Sequence, residues 1–402
     1  MPTLCFKYRI FPSQPQTRAL NETLEVCRLV YNSMIAWRKQ QYEQTGKSPS
    51  YFEQKRSLPI WKDDQPRLKD VHAHVLQNVV MRVDLAFKAF FRRVKAGEEP
   101  GYPRFKSAGC YDSITYFEWG NGYDLRDGRL RLSKIGHVKI HLHRPLQGTP
   151  KTCTIRRYGS KWFVCISCEV ESIPLPPSNE AIGIDVGLEK FASMSNGEFV
   201  QNPRFFRREE KAIAKAQRKL DACGKKRSKK KQKTQKVVTT IHRRVANKRG
   251  DFIHQTSRRL VDRYGTIAVE KLNVENMTAR PKPKVDEATG LLLPNGAAAK
   301  AGLNKSIQDA VWTQFRFALF NKAANAGRRF IEVDPRYTSQ DCSGCGFRPE
   351  AEKKKTLKDR WHLCPQCGLS LDRDMNAAVN IIKKAMGLHG EASLGGLEAK
   401  PL

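Results

Sequence analysis

Negative charge is what this 402-residue chain has too little of: 40 Asp+Glu stand against 73 Lys+Arg, a formal +33. Self-repulsion on that scale opposes compaction, so a large polyanion is the expected counterweight, most simply nucleic acid. An anionic membrane is the weaker candidate. Also missing is any uninterrupted apolar run near the roughly 18 residues that a spanning helix needs. The opening MPTLCFKYRIFPSQ lacks the basic-then-apolar layout of a secretory signal. Eleven cysteines at irregular positions then read as reduced thiols, with any tight cluster reserved for metal, and a secreted disulfide scaffold is excluded. There is no internal repeat. The length fits two or three domains at roughly 100–200 residues each.

Residues 4–11 alternate apolar and basic and read as a strand, stopped by Pro12 and Pro15. From Thr17 the period turns helical, with Leu20, Leu24, Cys27, Tyr31 and Ile35 on one face. A second helix is expected from about Val71 to Lys95, with Val75, Val79, Val83, Phe87, Phe90 and Val94 as its stripe. After Gly101-Tyr102-Pro103 come RLRLSKI, HVKIHLH, CTIRRYG and KWFVCISCEV, short strands of a small barrel or sandwich. Strand 4–11 is expected to join them, which makes the helical pair an insertion. The Pro-rich 173–177 reads as a linker.

Beyond it, AIGIDVG, FASMS, EFV and GTIAVEKL (265–272) read as strands. Between Arg204 and Arg249 lie 19 Lys/Arg against three Asp/Glu, a net +16, on two helices joined by a mobile loop at GKKRSKKKQK. Residues 279–303 read as a flexible loop, and 305–325 as a helix with Ile307, Val311, Phe315 and Leu319 on one face. RRFIEVDP is then a strand, and a last helix starts at Asp374. The tail after Gly387 reads as disordered.

Two groups of residues carry chemistry. Cys342-Ser-Gly-Cys345 and Cys364-Pro-Gln-Cys367 are two C-x-x-C knuckles separated by 18 residues, four thiolates that match a tetrahedral structural zinc. Four protein ligands leave no open position, so this zinc is expected to be structural. The second group is acidic. Asp185 ends the strand GIDVG, Glu270 ends TIAVE, and Asp374 sits in LDRDMNAAVNI at a helix start. Carboxylates projecting from strand ends of one α/β sheet can converge on a pair of hard divalent cations, which activate water and steady the leaving oxygen in phosphodiester hydrolysis. Taken singly, each has a plainer reading as a turn residue, a surface residue or a helix N-cap.

GIDVGLEKFASMS, IAVEKLNVENM and LDRDMNAAVNI, with CSGC…CPQC just before the third, resemble the split RuvC-like nuclease of the transposon-encoded TnpB proteins, relatives of miniature type V CRISPR effectors. NGAAAKAGLNKSIQDAVWTQF and YTSQDCSGCG resemble the same family. The resemblance is specific across about 181–385 and looser before it, where the turn Tyr102-Pro103-Arg104-Phe105 helps carry it. It implies a multidomain α/β plus β protein. A wedge-type β barrel (1–12 and 104–178) would hold an inserted helical recognition lobe (13–103). An RNase H-like (RuvC) nuclease domain (179–338 and 371–386) would then hold a zinc ribbon (339–370) before a disordered tail (387–402). It also implies Asp185, Glu270 and Asp374 as catalytic ligands of a two-ion Mg2+ site, with Asp372 the competitor for the third place.

The implied partners are a guide RNA from the transposon end and target double-stranded DNA, in a prokaryotic, cytoplasmic, nucleoid-associated protein. Pairing of guide with target reads the sequence, so the chain needs extended positive surface more than base-reading residues. Arg243, Arg244, Lys248 and Arg249 on the second basic helix are candidate phosphate contacts. Tyr51, Gln77 and Asn78 are candidate readers of a short motif beside the target, because amide side chains can bond base edges. The expected function is RNA-guided, magnesium-dependent cleavage of DNA. The rivals are a compact CRISPR effector with array-derived guides, a non-cleaving RNA-guided DNA binder, and a transposase joining DNA ends directly.

Overall fold

Strand β1 (Thr3–Phe11) buries alternate residues, Phe6, Tyr8 and Ile10, as its period requires. The computed structural model describes residues 3–172, 174–224, 228–350, 356 and 359–388, and its chain divides into two units, residues 1–171 and 172–402. The break falls after Glu171, just ahead of the Pro-rich 173–177.

In the first unit β1 is followed by helices α1 (Gln14–Thr45), α2 (Tyr51–Asp64) and α3 (Ala73–Lys95), with a 3-10 turn at Pro66–Asp70. Six further strands follow: β2 (Ser113–Phe117), β3 (Tyr123–Arg126), β4 (Arg129–Leu132), β5 (Gly136–His141), β6 (Thr149–Tyr158) and β7 (Lys161–Glu169). All seven form one antiparallel sheet in the order β2-β6-β7-β1-β5-β4-β3. β1 therefore sits mid-sheet, with the helices inserted between it and its later partners. The sheet corrects the barrel expectation: β2 and β3 are its open edges, and no closed barrel forms among the described residues.

The helical pair is also corrected, to three helices. α2 has little apolar periodicity: it buries Leu58, rests Tyr51 and Trp61 against the core, and adds a buried polar anchor. Its Gln54 accepts from Arg38 Nε at 2.8 Å and donates to Met34 O at 2.8 Å, while Arg38 also reaches Asp84 of α3 at 3.1 Å. The stripe of α3 is buried through Phe87, but Phe90 is only half-buried and Val94 is exposed.

The second unit opens with β8 (Ala181–Val186), β9 (Lys190–Met194) and β10 (Phe199–Gln201), then basic helices α4 (Phe205–Asp221) and α5 (Lys229–Arg263). Lys225, Lys226 and Arg227 of the expected loop lie outside the described residues, and Lys229–Lys233 are already helical. Next come β11 (Thr266–Glu270), α6 (Val274–Thr278), and a two-rung hairpin of β12 (Lys284–Val285) and β13 (Leu292–Leu293). α7 (Ala297–Ala310) and α8 (Trp312–Asn325) follow. The flexible loop therefore ends at Asn295, and the single helix expected to follow it is two, broken at Val311, whose φ of 51° no helix accepts.

β14 (Arg329–Val333) completes a mixed sheet of order β10-β9-β8-β11-β14, antiparallel on one side of β8 and parallel through β11 and β14 on the other. Cys342 and Cys345 precede a small sheet of β15 (Trp361–Leu363) and β16 (Ser370–Asp372), Cys364 and Cys367 sit in the turn between those strands, and α9 (Arg373–Ala385) closes the unit. Residues 389–402, most of the expected tail, lie outside the described residues.

Both faces of the parallel strands are covered, which is why they read as continuous apolar runs. Ile182, Ile184, Ile267 and Val269 pack with Ile253, Leu260, Phe315 and Leu319. On the other face Ala268 and Val333 pack with Ile381 and Ile382 of α9. A Cβ at Gly183 would lie 2.0 Å from Ala378 O, so only glycine lets α9 come this close to β8.

Candidate active site and metal centre

Asp185 and Glu270 leave neighbouring parallel strands side by side. The strand register pairs Ile184 with Val269, and each acid is the next residue along its strand. Strand alternation puts Asp185 on the face of Gly183 and Glu270 on the face of Ala268, the face that α9 covers. Asp374 lies in the first turn of α9. All three are half-buried.

Burial dominates the electrostatics of all three, and at Asp185 the other two acids add to it. Burial, then the charges of Glu270 and Asp374, push Asp185 well above the usual carboxylate range. Burial also raises Glu270, against a hydrogen bond from the Thr338 hydroxyl and the charge of Lys384. Asp374 is raised by burial and then by Asp372, against Arg373, Lys190 and Arg360. A pocket of carboxylates that resist ionisation is the environment a hard divalent cation relieves, and its oxygen donors suit Mg2+. The donors remain loosely spaced, however: no acidic trio among the described residues draws its ligand atoms within 4.8 Å of one another, as the cysteines do.

Asp372 is occupied otherwise. It is the N-cap of α9, its Oδ1 accepting from the backbone N–H of Asp374 at 2.9 Å and of Met375 at 3.2 Å, and its Oδ2 accepts from Lys190 Nζ at 2.8 Å. The plain cap reading thus falls on Asp372. Sequence reasoning passed over Lys190, Arg373, Thr338 and the asparagines Asn376 and Asn380. The one signal for Thr338 was its place in YTSQDCSGCG, four residues before the first cysteine.

The thiols of Cys342, Cys345, Cys364 and Cys367 all lie within 4.8 Å of one another, with Cys342–Cys367 and Cys345–Cys364 at 3.6 Å. Tetrahedral zinc with Zn–S of about 2.3 Å needs sulfurs about 3.8 Å apart, so the set fits. The two knuckles repeat one another. Cys342 N donates to Phe347 O and Cys364 N to Leu369 O, both at 2.9 Å, and Gly346 (φ 77°) and Gly368 (φ 71°) close each turn. Burial lifts the Cys342 thiol to about 12. Amides of Cys367 and Gln366, with the neighbouring thiols, hold Cys364 at about 7 despite its burial. Bringing four such thiols together favours a metal that takes them as thiolates.

The basic helices divide by role. Arg249 sends Nε and Nη2 to Asp309 Oδ1 at 3.1 and 2.7 Å, and the same carboxylate accepts from the N–H groups of Phe206 and Arg207 at the start of α4. Its charge is spent inside the unit. Arg244 is exposed, Arg243 is half-buried, and Lys248 is exposed with Glu209 at 3.9 Å. In the first unit Gln77 lines a cleft of about 380 Å³ with Lys55, Arg56 and Lys62. Tyr51 packs partly against the core beside Phe52, and Asn78 is buried at 5% exposure, which keeps it from a base edge.

Three family models match the chain. One described as "Probable transposase" (OrfB_IS605) covers residues 164–280, a "Cas12f1-like, TNB domain" covers 312–381, and a "Helix-turn-helix domain" of the same OrfB group covers 1–47. Over that last range the fold is one strand and one 32-residue helix. A Streptomyces pristinaespiralis protein named "Putative RNA-guided DNA endonuclease" is 33% identical over 98% of this chain and 91% of its own. "Putative RNA-guided DNA endonuclease InsQ" of Escherichia coli (strain K12) is 30% identical over 94% and 91%. "CRISPR-associated endodeoxyribonuclease Cas12f1" of Sulfoacidibacillus thermotolerans is 25% identical over 55% and 50%. At 30–33% identity over nearly the full length of the first two, and with the transposase model matched, the chain belongs to the TnpB family of transposon-encoded proteins, the family of the OrfB transposases.

Proposed function

We propose that this protein is an RNA-guided DNA endonuclease of transposon origin, and that Asp185, Glu270 and Asp374 hold its catalytic cations. The observation that carries the reading is geometric: Asp185 and Glu270 stand side by side on neighbouring parallel strands, on the face crossed by α9, whose first turn bears Asp374. The sheet order and the helix laid across its parallel half support an RNase H-like domain for this unit. Bound divalent cations would supply the Lewis acidity for phosphodiester hydrolysis. The chain's own part is to hold the acids in place: Gly183 admits α9, Asp372 caps it, and Lys190 takes up the charge of Asp372, leaving Asp374 to the centre.

The four cysteines would hold a structural zinc. A guide RNA would meet the exposed basic faces of α4 and α5, with Arg243, Arg244 and Lys248 as phosphate contacts and Arg249 as their internal support. Gln77 and the cations of its cleft remain the candidate readers of a flanking motif. The antiparallel sheet of the first unit would serve as the wedge. A CRISPR effector is the less favoured reading, because the CRISPR-associated relative is matched over only half its length.

The test is cleavage of guide-complementary DNA by single variants. Asp185→Ala, Glu270→Ala and Asp374→Ala should each lose cutting while DNA binding stays. Asp372→Asn, which keeps a cap acceptor, should still cut. If all four variants cut like the parent, the carboxylate reading is wrong.

A further inference from the structure

We propose that Thr338 is a positioning residue for Glu270, and that the turn carrying it joins the four-cysteine centre to the acidic cluster; this rests on Glu270 being a cation ligand, as argued above. Thr338 is 2% exposed, and its hydroxyl lies between Glu270 Oε1 and Pro335 O. One proton serves one acceptor, and the carboxylate is the stronger. A hydroxyl bound to one oxygen fixes the plane of the carboxyl group and leaves its second oxygen for a cation.

The turn itself is gripped from two sides. Gln340 and Asp341 N–H close it on Tyr337 O at 3.0 and 2.9 Å. Asn380 of α9 donates to Thr338 O and Asp341 O, both at 2.8 Å. Asn376 donates to Asp341 O at 2.8 Å and accepts from Ser343 N at 2.9 Å, and Lys383 donates to Ser343 O at 2.6 Å. Ser343 follows Cys342 directly, so these contacts reach the first knuckle. Asn376, Asn380 and Lys383 share one face of the helix whose first turn holds Asp374. A single run of hydrogen bonds therefore passes from the knuckle through α9 and Thr338 to Glu270. Partners that orient a metal's ligands are worth about 10–100-fold in metal affinity.

The experiment measures Mn2+ binding by electron paramagnetic resonance on the full-length, RNA-bound protein, beside zinc content and melting temperature. Thr338→Val keeps the shape and removes the hydroxyl. It should retain zinc and bind Mn2+ about 10–100-fold more weakly, while Thr338→Ser stays close to the parent. Asn376→Ala, which leaves Thr338 intact, should also keep zinc and weaken Mn2+, and it decides the matter if Thr338→Val does not fold. Parent-like Mn2+ binding in Thr338→Val or in Asn376→Ala, with Glu270→Gln impaired, overturns this proposal alone. Parent-like binding in Glu270→Gln overturns the reading of the acidic cluster as well.

Discussion

Asp185, Glu270 and Asp374 are held where ionisation is opposed, and that has a consequence for stability. Each folded-state pKa lies above the ordinary carboxylate value near 4. Between those values the folded protein binds more protons than the unfolded one, so stability falls as pH rises through the window. Protein freed of Mg2+ but keeping its zinc should therefore melt lower at pH 8 than at pH 5, and Mg2+ should restore the loss. Asp185→Asn removes the most strongly raised group and should raise the Mg2+-free melting temperature at pH 8, by about 2–4 °C for each kcal/mol recovered. A scan in which Asp185→Asn melts below the parent would contradict this. These acids were legible in the sequence because each ends an apolar strand or starts a helix. Of Asp372-Arg373-Asp374 the resemblance already favoured Asp374; what the sequence did not show is that Asp372 is otherwise engaged, by Lys190 and by the cap of α9.

At the scale of elements, apolar period located β1, α1, α3 and the parallel strands, whose burial is hydrophobic. It missed α2, which buries few apolar residues beside the Gln54–Arg38 contact, although its capping box Ser50…Glu53 is visible in the sequence. The break at Val311 was also hidden, because a left-handed valine has no sequence signature. The four-cysteine cluster was legible, because two C-x-x-C pairs at fixed spacing leave little freedom. Elemental analysis should accordingly find about one zinc per chain, and Cys364→Ser should lose it. Since structural zinc contributes folding energy directly, that variant should also lose solubility or DNA cleavage. Parent-like zinc and cleavage in Cys364→Ser would remove the claim.

For the whole molecule, a formal +33 asks for a polyanion, and the structure shows that not every basic residue answers to it. Sequence position groups Arg249 with its neighbours, but its partner Asp309 lies 60 residues away and only the fold reveals the pairing. The two kinds of cation should separate by experiment. Replacing Arg243, Arg244 and Lys248 with Ala should flatten the salt dependence of RNA binding, by about 0.7–0.9 in log–log slope for each phosphate no longer neutralised. Arg249→Ala should instead lower stability, by roughly 3–5 kcal/mol, as it leaves a buried carboxylate without its charge partner. An unchanged slope in the triple variant would place the RNA elsewhere.

Guided cleavage by a carboxylate-held metal centre can be addressed directly by one measurement. The protein is purified with the RNA it carries, that RNA is sequenced, and Mg2+ is added with a DNA duplex matching its guide segment beside randomised flanking sequence. Duplexes sharing a short flanking motif should be cut, and cutting should be lost on chelation and in Asp185→Ala although the DNA stays bound. Intact DNA with the parent protein, or equal cleavage by Asp185→Ala, would contradict a carboxylate-held centre.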